Sequence, residues 1–164
     1  MRKVALLLCL FLLAPIAARA QKFDLFGGYS YARFEQKGGD VNASGWEASL
    51  TYKVNTYVGI VGDFTGNYGT LFQRSMSVTN IYGGVQVGLP MLHYSPFVHV
   101  LLGGMHLSIP SVTHTVFSTE VGGGLDIHVN HYLSIRAIQA DVVTGDLTST
   151  SADGRISTGV VFHF

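Results

Sequence analysis

The sequence predicts an all-β fold: an eight-stranded antiparallel up-and-down barrel, preceded by a cleavable leader. Three observations point there. After residue 20, apolar residues recur at every second position and no helical period is present. Eight such stretches follow one another, joined by connections that alternate between short and long. Charge is also scarce: Asp, Glu, Lys and Arg make up 12 % of the chain, where soluble domains average about 25 %.

The leader comes first. Arg2 and Lys3 form a basic start, Val4 to Leu13 an apolar run, and Ala18-Arg19-Ala20 a small-x-small cleavage site. Residues 1–20 are therefore expected as a signal peptide and 21–164 as one barrel domain. The apolar run is too short for a membrane-spanning helix, which needs about 20 residues. Cys9, the single cysteine, lies inside the leader, so the mature chain holds no thiol. That excludes disulfides, cysteine nucleophiles and zinc–thiolate sites. Losing Arg2, Lys3 and Arg19 leaves seven basic residues against ten acidic ones, a net charge of −3 with neutral histidines. Such a balance offers no footprint for nucleic acid.

Strands are expected at 22–33, 45–54, 57–66, 77–88, 96–105, 116–129, 132–143 and 155–164. The second shows the pattern well: Trp46, Ala48, Leu50, Tyr52 and Val54 share one face, Glu47, Ser49, Thr51 and Lys53 the other. Short connections fall at Asn55-Thr56, at 89–95 and at Asn130-His131, where Asn and Pro favour turns. Long polar connections are expected at 34–44, 67–76, 106–115 and 144–154. In the seventh strand Arg136 and Asp141 have opposite parity, which places one of them at a bulge or beyond the apolar band.

Alternation alone does not say which face looks outward. In water the outer face would need many Lys and Glu, and a soluble barrel is the alternative that this tests. Here the polar face carries a few charges among Gly, Ser and Thr, which suits the narrow interior of eight strands. The apolar face is nearly free of charge, as lipid requires, since an Arg or Lys there costs about 2–4 kcal/mol at mid-bilayer. Rings expected near strand ends (Phe23, Tyr57, Tyr82, Phe97, Phe117, Tyr132, Phe162 and Phe164) would form interfacial girdles. The last strand must then pair with the first, because an open edge in lipid leaves backbone groups unsatisfied.

With those residues in view, the sequence resembles small eight-stranded outer-membrane proteins, the transmembrane barrel of the OmpA family and OmpX. The likeness rests on "FDLFGGYSYARF", "GIVGDFTG", "PFVHVLLGG", "VGGGLDIHV" and the closing "GVVFHF". It implies a bacterial outer-membrane location, lipid as the surrounding partner and a monomer. It also implies that Val160, Phe162 and Phe164 form the C-terminal signal read by the barrel-assembly machinery.

The candidate site is a lumen polar network of Asp24, Glu47, Lys53, Asp63, Glu120, Asp126, Arg136 and Arg155. Five acids and three bases in a narrow low-dielectric interior must pair or hydrogen-bond. They would either seal the barrel or gate a narrow small-solute pore, and sealing is the expectation. A hydrolase is the third alternative. His106, Ser108 and Glu120 have a spacing that resembles the outer-membrane lipid A deacylases, with Ser as nucleophile, His as base and Glu orienting it. The surrounding Leu107, Ile109 and Pro110 depart from that family's motif, and Glu120 falls on the lumen face. His93-Tyr94-Ser95 repeats the spacing by chance. Seven histidines show no ligand spacing along the chain, so no metal, no cofactor and no catalytic residue are expected. The role expected is structural, with exposed loops meeting surface partners.

Overall fold

The computed structural model describes residues 22–34, 41–71, 74–109, 112–144 and 152–164. The expected leader, residues 1–20, lies outside them. Period-two patterning needs one buried and one solvated or lipid-facing side, and every alternating stretch forms a strand: β1 (Phe23–Phe34), β2 (Val41–Lys53), β3 (Val58–Leu71), β4 (Arg74–Gly88), β5 (Tyr94–Ile109), β6 (Val112–Asn130), β7 (Leu133–Thr144) and β8 (Ala152–His163). Each pairs antiparallel with its sequence neighbour, and β8 returns to β1, closing the barrel.

Closure runs from Asp24 opposite His163 to Arg33 opposite Gly154. The chain end is held by two backbone bonds, Phe164 N–H to the Phe23 carbonyl (2.8 Å) and Phe23 N–H to the Phe164 carbonyl (3.2 Å). The Phe164 ring stays on the outer face. On that face Tyr29, Trp46, Leu50, Ile60, Val85, Val100, Val121, Ile138, Val142 and Ile156 are exposed, while ionic side chains are packed within. This is the reverse of a soluble domain, where contiguous apolar surface on such a scale does not occur.

Turn chemistry matches the expectation at one rim. Asn55 Oδ1 accepts from the N–H groups of Tyr57 and Val58, both at 2.8 Å, and Asn130 Oδ1 accepts from Tyr132 N–H at 2.8 Å. These are side-chain-closed turns of the Asx type. The opposite rim departs from expectation. The stretches 67–76 and 106–115 are mostly strand, leaving only residues 72–73 and 110–111 between β3 and β4 and between β5 and β6. Asn67, Gly69 and Thr70 look like loop residues, yet Asn67 points into the lumen and all three are paired across to β4. A polar run in a barrel wall satisfies its backbone through the neighbouring strand, so polarity does not end the strand.

Two further corrections concern rings. Tyr82 and Phe97, expected in the outer girdles, are buried in the lumen. Phe26 joins them there. In β7 the register shifts between Arg136 and Gln139, and Ala137 and Ile138 are consecutively exposed. This bulge turns both Arg136 and Asp141 inward, which resolves their opposite parity.

Candidate functional site

The lumen is organised by two arginines. Arg136 on β7 donates from Nε to Asp126 Oδ1 (2.8 Å) and from Nη2 to Asp126 Oδ2 (3.1 Å), a bidentate pair. Its third donor reaches Gln139 Oε1 at 2.7 Å. The guanidinium lies 4.3 Å from the ring centres of both Phe26 and Phe97, so two aromatic faces cover the plane left by the in-plane hydrogen bonds. Gly124 makes this stacking possible: a Cβ there would fall 2.8 Å from Phe97 Cζ and 2.6 Å from the Ile138 carbonyl oxygen.

Arg155 on β8 holds the next group. It donates to Asp141 Oδ2 from Nε (3.1 Å) and Nη2 (3.0 Å), to Glu120 Oε1 from Nη2, and to Thr65 Oγ1 from Nη1 (2.7 Å). Glu47 Oε2 stands 3.6 Å from Nε and Asp63 Oδ1 3.9 Å from Nη1. Gln139 joins the two groups, donating to Glu47 Oε1 and Asp141 Oδ2, each at 2.8 Å, and Ser157 caps Glu47 Oε2. His99 Nε2 lies 2.9 Å from Asp141 Oδ1 and 3.5 Å from Glu120 Oε1. Arg155, Glu47 and Glu120 are 2 %, 1 % and 0 % exposed, so this level of the lumen is packed by its own side chains. An apolar cluster of Val61, Tyr82, Leu101 and Val143 packs beside it, with the Tyr82 hydroxyl bonded to Ser118 Oγ at 2.8 Å.

The mouth on the turn side is different. A cavity of about 400 Å³ opens there, lined by Asp24, Lys53, Ser95, Phe97, Asp126, His128 and His163 among others. Lys53 Nζ meets Asp24 Oδ1 at 2.8 Å. One placement of protons satisfies the whole wall. Ser95 donates to His128 Nε2 (2.8 Å), His128 Nδ1–H to Ser134 Oγ (2.8 Å), Ser134 to His163 Nε2 (2.7 Å), and His163 Nδ1–H to Asp24 (2.6 Å). Ser134, His163 and Asp24 thus stand in the order of a hydrolytic triad. Ser134 is fully buried, and in this proton placement its oxygen accepts from His128.

Of the eight residues singled out from sequence, Glu47, Asp63, Glu120 and Arg155 meet in one group, Asp126 and Arg136 in a second, and Asp24 and Lys53 at the mouth. Sequence reading did not place Asp141, His99, Gln139 and Thr65 in the network. Their inward parity was readable for His99, but Asp141 and Gln139 follow the β7 bulge, which no local motif announces. The hydrolase spacing does not assemble. His106 Nδ1 bonds Thr115 Oγ1 at 2.7 Å, Glu120 is committed to Arg155, and the Ser108 side chain lies outside the described residues.

No family model and no curated protein matches the sequence. Solved structures do match in fold. Neisserial surface protein A superposes with a TM-score of 0.75 at 14 % identity, over 87 % of this chain and 97 % of that one. Ail, the attachment invasion locus protein of Yersinia pestis, gives 0.62 at 16 % identity, over 88 % and 100 %. The N-terminal barrel domain of Pseudomonas aeruginosa OprF gives 0.61 at 15 % identity, over 89 % and 100 %. The chain has the eight-stranded fold of outer-membrane barrel proteins.

Proposed function

We propose that this protein is an outer-membrane barrel whose lumen is a closed structural core and whose interactions take place at its exposed hairpins and rim. The observation that carries this reading is the inverted polarity: rings and aliphatic side chains cover the outside, and the ionic groups are packed within. A water-soluble barrel with that exterior would aggregate. The bidentate and stacked arginines fill the cross-section, which favours a seal over a conduit.

Trp46 supplies the test. It is the chain's single tryptophan, sits on the outer face and packs against Phe64 with ring centres 5.3 Å apart. In bilayers of brominated phospholipid its fluorescence is expected to fall strongly, and to ignore iodide in the water. Quenching by iodide alone would overturn a lipid-facing exterior. The same preparation should migrate differently on a gel before and after boiling, and should stay silent in planar-bilayer recordings. Val160, Phe162 and Phe164 serve as the assembly signal, and the barrel works as a monomer. Removing Phe164 should lower the folded fraction in the outer membrane while the purified chain still refolds in detergent.

A further inference from the structure

The group around Arg155 is out of electrostatic balance. Among the described residues, Glu47, Asp63, Glu120 and Asp141 crowd one guanidinium and one imidazole. With His99 neutral, three negative charges have no counterpart; with His99 protonated, two. Arg136 cannot help, because Asp126 already neutralises it. Buried charge without a partner is too costly to persist, so the interior must take up positive charge.

Three donors converge at this place. One ligand atom from each of His99, Glu120 and Asp141 lies within 4.8 Å of the other two. The side chains come from three adjacent strands: His99 and Asp141 both pair with Gly122, in one row across the sheet, and Glu120 precedes that glycine by two residues. Gly122 leaves the gap through which they meet, since a Cβ there would collide with Asp141 Oδ1. Arg155 uses Glu120 Oε1 and Asp141 Oδ2 and no other oxygen of these two. Glu120 Oε2 is buried with no hydrogen-bond partner. Among the described residues Asp141 Oδ1 is hydrogen-bonded only to His99.

We propose that the lumen binds a divalent metal cation, zinc foremost, through His99 Nε2, Glu120 Oε2 and Asp141 Oδ1. An imidazole with two carboxylates suits zinc better than calcium or magnesium, which take oxygen donors. Zinc at about 2.1 Å from tetrahedral donors sets them about 3.4 Å apart. His99 Nε2 stands 3.5 Å from Glu120 Oε1, the oxygen that Arg155 also holds, so the Glu120 carboxylate must turn to present Oε2 to the cation, and the 2.9 Å hydrogen bond to Asp141 opens by about half an ångström. On binding, His99 loses its Nε2 proton, which leaves to solvent, and the cation takes over the contact with Asp141. Arg155 stays as the group that orients both carboxylates through their other oxygens. Because β5, β6 and β7 carry all three ligands, the site can fill before β8 closes over it.

The test is refolding of the mature chain from urea into detergent with zinc sulfate, in parallel with calcium and magnesium, followed by chelating resin and elemental analysis. Folded wild-type protein, identified by its unboiled gel mobility, should retain stoichiometric zinc that resists EDTA, and neither calcium nor magnesium. His99→Gln and Glu120→Gln should fold and carry zinc only at background, and zinc should raise the urea midpoint of the wild type alone. Equal zinc in wild type and His99→Gln, or none in folded wild type, would overturn the site and leave protons as the missing positive charge. Should both variants fail to fold, cobalt decides on the wild type: ligand-field absorption bands of bound Co²⁺ support the site, and their absence sinks it.

Discussion

The level of Arg155 and the mouth on the turn side are built from the same chemistry, yet they stand in different media. At the mouth, Lys53, Asp24, His163, Ser134, His128 and Ser95 form a linear chain beside an open cavity, and Lys53 remains over a third exposed. Around Arg155 the groups form a knot in which one guanidinium touches several acids and each member is almost wholly buried. Water replaces a lost partner at the mouth. At the knot the remaining groups have only one another. An interaction there is therefore measured mainly by what its loss leaves stranded.

Arg155→Leu should break this contrast most sharply. Removing the guanidinium leaves four carboxylates together, and a stranded buried charge costs about 3–5 kcal/mol. Urea unfolding in detergent should show a loss of that order or no folded species at all. The paired change Arg155→Leu with Glu120→Leu should recover part of the loss, because one acid leaves with the base. If the single variant unfolds like wild type, the knot is already balanced by other means.

Val100→Arg puts the same kind of charge on the opposite side of the wall. Val100 is half exposed on the outer face, between Val85 and Val121. An arginine on a lipid-facing site costs about 2–4 kcal/mol near the bilayer midplane and much less near the edges. Refolding yield and urea midpoint in bilayers should both fall, and the loss should shrink in detergent micelles. An unchanged midpoint in bilayers would mean that this face is not embedded.

These two variants also mark what the sequence makes legible. Parity places Val100 outward and Arg155 inward with no structure at hand, because a strand repeats every two residues and a closed sheet has one inside. The same rule puts Glu47, Glu120 and Asp126 in the lumen and Ile156, Thr158, Val160, Phe162 and Phe164 on the outer face. It fails where the period is broken or where both faces are polar. The β7 bulge shifts Gln139 and Asp141, so their roles depend on a register that only the pairing with β8 reveals. Aromatic identity suggests girdle positions for Tyr82 and Phe97, but parity overrides it: Phe97 shares its parity with the inward-facing His99. Which lumen groups touch is a matter of strand stagger, and stagger leaves no mark in a single strand's residues.

Arg136→Lys tests the intermediate case. The charge survives, but an ammonium gives up the bidentate geometry to Asp126 and the stacked contact with Phe26 and Phe97. A desolvated cation–π contact is worth about 2 kcal/mol, so the urea midpoint should fall by less than in Arg155→Leu. The barrel should still fold, and its conductance should remain at baseline because the Arg155 knot is intact. A conducting Arg136→Lys barrel would show that the seal lies at the rings.

The smallest effect belongs to Lys53→Met. Its ion pair with Asp24 is partly solvated, and exposed pairs contribute about 0–1 kcal/mol. Asp24 keeps His163 as a donor at 2.6 Å and gains water from the cavity, so nothing is stranded. The expected shift in urea midpoint is within error at high salt and small at low salt, since the Debye length shortens as ionic strength rises. A loss as large as that of Arg155→Leu would mean that the mouth is dry, and that the division between a solvated rim and a sealed interior is drawn in the wrong place.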